Sequence, residues 1–162
     1  MASGLRTVEV RMGQFRASRD AEVALETSSL GSCVAVALYD PEARVAGLCH
    51  ILLDRESRFP GGVPERCADF AIPAALAEMV TLGASPERVV AHLAGGGNMF
   101  RGVTDPVYDV GSWNVAAAKE VLEALGIPVV TEDVGGSSPR RLRIEVATGH
   151  TSVHFPAGRG GA

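Results

Sequence analysis

A chain of 162 residues, 46% hydrophobic and 21% charged, has the composition of one globular unit, which at this length buries roughly 70% of its unfolded surface. Fifteen Lys and Arg against nineteen Asp and Glu leave a formal charge of −4 and no basic stripe, which argues against a nucleic-acid partner. Three cysteines without paired spacing and the lack of a secretory h-region point to a reducing cytoplasm, and no apolar stretch approaches the ~20 residues of a membrane helix.

Residues 5–12 alternate, with Val8, Val10 and Met12 on one face, and predict a half-buried first strand; residues 22–27 repeat the pattern through Val23 and Leu25. Residues 33–39 (CVAVALY) and 45–53 (VAGLCHILL) are nearly continuous apolar runs around Asp40-Pro41 and predict a buried hairpin. The Pro, Gly and charge content of 54–66 predicts an exposed loop, able to line a site. Apolar spacing predicts a helix over 69–82 stopped by Gly83, and a second over 113–125 capped by Ser112 and ended by Gly126. Residues 88–93 form a short strand leading into Ala94-Gly95-Gly96-Gly97-Asn98, and late strands are expected at 127–131, 141–147 and 151–155. With no repeat and no linker, the pattern predicts one domain over 1–156 with a disordered tail at 157–162. The expected class is α+β, a layered α/β sandwich with a mostly antiparallel β core and two main helices.

The hairpin carries the chemistry. A four-residue turn at 40–43 places Tyr39 opposite Arg44 and Cys33 directly opposite His50, on one face, so that a thiol and an imidazole meet. A slip of one residue reverses the face and separates them. A neighbouring histidine lowers a thiol pKa and returns a proton to a departing amine, which suits attack on a carbonyl. Thr27, Ser28 and Ser29 lie upstream to orient the base, and Gly31 and Ser32 supply backbone N–H groups for an oxyanion. The other reading of the pair is packing, since free cysteine is among the most buried residue types.

Thr27-x-x-x-Gly31-Ser32-Cys33-Val34-Ala35-Val36, Asp40-Pro41 and Gly47-Leu48-Cys49-His50 with Leu53 behind resemble the chemoreceptor glutamine deamidase family, CheD. So do the glycine-rich 94–100 segment, Gly111-x-x-Asn114 at the second helix, Asp133-x-Gly135-Gly136 and Thr148-Gly149, in order over most of the chain. The resemblance implies a cytoplasmic enzyme that hydrolyses selected glutamine amides on methyl-accepting chemotaxis receptors, giving glutamates that can be methylated. It implies Cys33 as nucleophile, His50 as general base and acid and Thr27 as the residue orienting His50, with no metal or organic cofactor, and a CheC-type phosphatase as a further partner. Trp113 and Pro139 depart from the residues common in the family at those positions.

Of the remaining signals, the 94–98 glycines lack the Gly-Lys-Ser/Thr ending of a phosphate loop and read as a tight turn. Met99 and Phe100 are candidate substrate or partner contacts, or core. Cys49 falls on the face opposite His50 and reads as packing, Cys67 has no placed partner, and neither makes a zinc spacing. His92 reads as a core histidine. A non-enzymatic regulator that binds a CheC-type phosphatase or a receptor is the alternative, and a cysteine peptidase or acyltransferase shares the same first step.

Overall fold

The computed structural model describes residues 4–52, 64–99 and 109–156. Residues 54–63 of the expected loop, Phe100 and the 157–162 tail lie outside the described residues. Among the described residues nine strands and two α-helices are arranged as two sheets and one helical layer: β1 (Arg6–Val10), β2 (Phe15–Ser18), β3 (Val23–Thr27), β4 (Val34–Asp40), β5 (Val45–Ile51), α1 (Ala68–Thr81), β6 (Val90–Gly95), α2 (Val110–Ala124), β7 (Val129–Val134), β8 (Arg141–Glu145) and β9 (Thr151–His154). One sheet has the order β2-β5-β4-β6-β7 and the other β1-β3-β8-β9. Pairing is antiparallel except for β1 with β3 and β6 with β7, as the expected mostly antiparallel α+β class requires.

Every residue of β4 and β5 is buried, which explains why both read as unbroken apolar runs: they are the middle of a three-layer stack. Val34, Val36, Leu38, Cys49 and Ile51 face α1 and α2, where Ile72, Met79, Ala118 and Leu122 meet them. Cys33, Ala35, Ala37, Tyr39, Ala46 and Leu48 point the other way, onto Leu25, Leu142 and Ile144 of the second sheet. Cys49 packs with its thiol 3.6 Å from the Ala71 carbonyl oxygen, on the helix face as expected.

The hairpin register corrects the sequence reading. Asp40 pairs with Val45, so the turn is 41–44, and Ala35, not Cys33, lies opposite His50. The cause is local: Asp40 Oδ1 accepts the N–H groups of Glu42 (3.0 Å) and Ala43 (3.1 Å), Arg44 N–H reaches the Asp40 carbonyl (2.8 Å), and Arg44 takes a left-handed φ of 56°. The aspartate thus stays in the strand and closes the turn from its end. Displacement by two positions preserves the face, leaving Cys33 two pairs beyond His50 on the same side of the sheet.

The α2 start is also corrected. The helix begins at Val110, capped by Asp109, whose carboxylate accepts the Ser112 N–H (3.3 Å). Ser112 therefore lies inside the first turn. Strand β6 begins two residues later than expected because 86–88 form a 3₁₀ turn that delivers Arg88 to Asp40.

Asp40 is fully buried and binds Arg88 (Nη2 at 2.9 Å) and the Ser85 N–H (2.8 Å) besides its own turn. Burial alone would raise its carboxyl, but Arg88 and the backbone donors of Ser85, Ala43 and Glu42 outweigh it and hold the pKa at about 2. Asp40→Ala is expected to cost about 2–3 kcal/mol in urea unfolding at pH 7, because it strips a charged acceptor from buried donors. With the folded pKa below the unfolded value of 3.8, that contribution is full above pH 4 and disappears as pH falls through about 2. A difference between variant and wild type that persists below pH 2 would refute this account.

Candidate active site

His50, one residue before the end of β5, is fully buried between the two sheets, its backbone locked to the approach to β2 by His50 N–H to the Gln14 carbonyl (2.9 Å) and Gly13 N–H to the His50 carbonyl (3.0 Å). Imidazole Nδ1 stands 3.1 Å from the Val10 carbonyl oxygen and 3.5 Å from Ser28 Oγ. A carbonyl oxygen only accepts, so Nδ1 carries the proton and Nε2 presents its lone pair. Nε2 is buried and has no hydrogen-bond partner among the described residues, the Cys33 thiol included. Burial lowers the imidazole pKa, against a smaller opposite push from the Val10 carbonyl, which keeps the ring a neutral base at pH 7.

Thr27 does not make that orienting contact. Its Oγ1 accepts the Leu142 N–H (3.1 Å), joining β3 to β8, while its backbone stands beside Val10 in the β1–β3 pairing. The orienting group at Nδ1 is the Val10 carbonyl, which also accepts the Ser28 N–H (3.2 Å). A main-chain oxygen leaves no mark in a residue pattern, so nothing in the sequence could have singled it out.

The segment before β4 is held through its carbonyls. Leu30 exchanges backbone hydrogen bonds with Arg140, Gly31 accepts from Gly97 N–H (3.0 Å), Ser32 from Asn114 Nδ2 (3.0 Å), and Cys33 from Gly96 N–H (2.8 Å). Among the described residues the Cys33 N–H donates no backbone hydrogen bond. Left-handed φ values of 102° at Gly95 and 64° at Gly96 turn the chain out of the ladder, and the Gly96 carbonyl abuts Gly111 of α2 instead. Met99, 38% exposed, lies in a slot between Gly31 and Gly97: a Cβ at Gly97 would come within 2.7 Å of its methyl, and one at Gly31 within 3.3 Å of its Cγ. The glycines therefore admit Met99 to the edge of the cysteine loop. His92 is half-buried, away from this site, with Nδ1 2.6 Å from Thr131 Oγ1.

Cys33 is 6% exposed, and burial pushes its thiol up to about 11. The expected lowering of that pKa by His50 is absent: burial raises the thiol and lowers the imidazole, so both are neutral at pH 7. Alkylation of Cys33 by iodoacetamide should therefore rise about tenfold per pH unit from 7 to 9, since only the thiolate reacts. A rate already at its plateau at pH 7 would mean a standing thiolate–imidazolium pair and would contradict the burial argument. Cys49, fully buried with its pKa raised further, should trail Cys33 throughout.

Residues 54–155 match the family model described as CheD chemotactic sensory transduction. A Geobacter metallireducens protein named probable chemoreceptor glutamine deamidase CheD 2 is 43% identical over 152 residues, covering 89% of this chain and 90% of its own length. The chain belongs to the CheD family. A Thermococcus kodakarensis protein named probable chemoreceptor glutamine deamidase CheD is 39% identical over 143 residues, covering 88% of each. The family-model match begins after His50, but an 89% span necessarily includes residues 33–50, so the CheD relationship extends to the hairpin. A Neisseria meningitidis protein of the DUF152 family shares the layered fold at a TM-score of 0.50 and 14% identity, over 83% of this chain and 64% of that one.

Proposed function

We propose that this chain hydrolyses glutamine side-chain amides on chemoreceptors, with Cys33 as nucleophile and His50 as base and acid. The observation that carries the reading is the tautomer at His50: Nδ1–H committed to a backbone carbonyl, and an unpartnered Nε2 lone pair on the sheet face that Cys33 shares. In this mechanism Nε2 takes the Cys33 proton as sulfur bonds to the amide carbon. The tetrahedral oxyanion is stabilised by loop N–H groups at Gly31, Ser32 and Cys33. Collapse breaks the C–N bond, the imidazolium returns the proton to nitrogen, and ammonia leaves a thioester. Water then gives its proton to His50 and attacks the same carbon, yielding glutamate and the free thiol.

Thr27 acts here as a positioning residue, pinning β3 to β8 so that the Val10–Thr27 pair, and with it the carbonyl that orients His50, stays in place. Met99 offers an apolar contact to the aliphatic stem of the glutamine or to a CheC-type phosphatase. The compartment is the cytoplasm, where receptor tails are found; among the described residues no helix is long and apolar enough to cross a membrane. The test is incubation with glutamine-bearing receptor fragments, following ammonia release and the Gln-to-Glu mass change. Conversion at discrete glutamines is expected. Binding without conversion would sink the enzyme and favour the non-enzymatic regulator.

A further inference from the structure

Asn114 lies in the first turns of α2, fully buried, and its Nδ2 donates to two carbonyls: Ser32 (3.0 Å) and Leu52 (3.3 Å). Both acceptors are backbone oxygens, so the amide nitrogen has to face them. One precedes Cys33 and the other follows His50 by two residues, which makes the side chain a clamp across the open end of the hairpin. Its Oδ1 is buried with no partner among the described residues. A buried polar atom without a partner is a cost that an apolar side chain would not carry, so the retained benefit must lie at Nδ2.

The Ser32 carbonyl and the Cys33 N–H belong to one peptide group, and no cis peptide bond occurs in the described chain. In a trans peptide the two point in opposite directions. Holding the carbonyl against α2 therefore sets the direction of the N–H. In a regular antiparallel ladder the Cys33 N–H would bond the Gly96 carbonyl, because the Gly96 N–H already bonds the Cys33 carbonyl (2.8 Å). The glycine turn removes that acceptor to Gly111, leaving the N–H oriented and uncommitted. A hydrogen bond accepted by the carbonyl also polarises the peptide, making the opposite N–H a better donor.

We infer that Asn114 is a positioning residue which holds the Ser32–Cys33 peptide so that the Cys33 N–H faces the developing oxyanion. The inference rests on the nucleophilic reading of Cys33, but its test needs no receptor. Acylation by p-nitrophenyl acetate forms an S–C bond through a tetrahedral oxyanion and expels p-nitrophenolate. Alkylation by iodoacetamide forms an S–C bond by displacing iodide, with no oxyanion. Rates at Cys33 are obtained on the full chain by subtracting the Cys33→Ala background. Asn114→Ala and the near-isosteric Asn114→Asp, which lacks the donor, are each expected to slow acylation about tenfold or more while alkylation stays within about twofold. Equal slowing of both reactions, in step with a lower melting temperature, would reduce Asn114 to a structural role and overturn the inference, as would unchanged acylation. A wild type that acylates normally yet converts no receptor glutamine would sink the deamidase and leave the role of Asn114 standing.

Discussion

Cys33→Ala is expected to lower receptor deamidation by about 10⁴-fold or more, because among the described residues no other thiol lies on that sheet face and the residual rate would come from binding and the N–H donors alone. The substitution removes one sulfur from a packed cluster with Ala35 and Ala94, so the melting temperature should move little, with a cost of about 1 kcal/mol. Ammonia release and the mass of each receptor peptide measure the first effect, and a thermal melt the second. Loss of activity with an intact melt assigns the chemistry to the sulfur. Full activity without it would end the nucleophile assignment outright, since Cys49 and Cys67 are buried on or near the helix layer and cannot take its place.

Gly95→Ala is expected to damage stability and activity together. Its φ of 102° is outside the range an alanine adopts without strain, and a Cβ there would overlap the Cys33 carbonyl oxygen and stand 3.2 Å from Leu30 Cβ. The carbonyl in question is the one bonded by Gly96 N–H, so relief comes only by parting β6 from the cysteine loop. A loss of about 3 kcal/mol follows, seen as a fall in melting temperature of about 10 °C, with deamidation falling because Cys33 and its N–H are displaced. An alanine variant that melts within about a degree of the wild type would show that the loop does not depend on this close approach.

Much of the fold is legible in the hydrophobic pattern, for reasons particular residues make plain. The runs at β4 and β5 are buried on both faces and therefore lack alternation, and the turn residues Asp40-Pro41 separate them cleanly. Both helices follow from apolar spacing, and Gly83 (φ 109°) and Gly126 (φ 73°) follow their last turns as expected. Strand β2 escapes because four residues, Phe15–Ser18, with one of them exposed, carry too little pattern to separate from a loop. The offset of the hairpin escapes because the deciding contacts are hydrogen bonds from Asp40 to its own turn, invisible to hydrophobicity. At the site, Cys33 and His50 are found by residue type and the family motif. Asn114 is visible only as part of the Gly111-x-x-Asn114 spacing, and the Val10 carbonyl is invisible because any residue would supply it.

The displacement of the β4–β5 pairing by two positions bears on how this enzyme family can vary in length. Side chains along a strand alternate, so the parity of a slip in the pairing, and not the length of the connecting segment, decides whether sulfur and imidazole share a side. The 41–44 connection can lengthen or shorten with the pairs kept, and a slide of the pairing by two positions merely moves the nucleophile along its neighbour. A slip of the pairing by a single position would carry the histidine to the helical side, where Cys49 now packs, and part it from the sulfur.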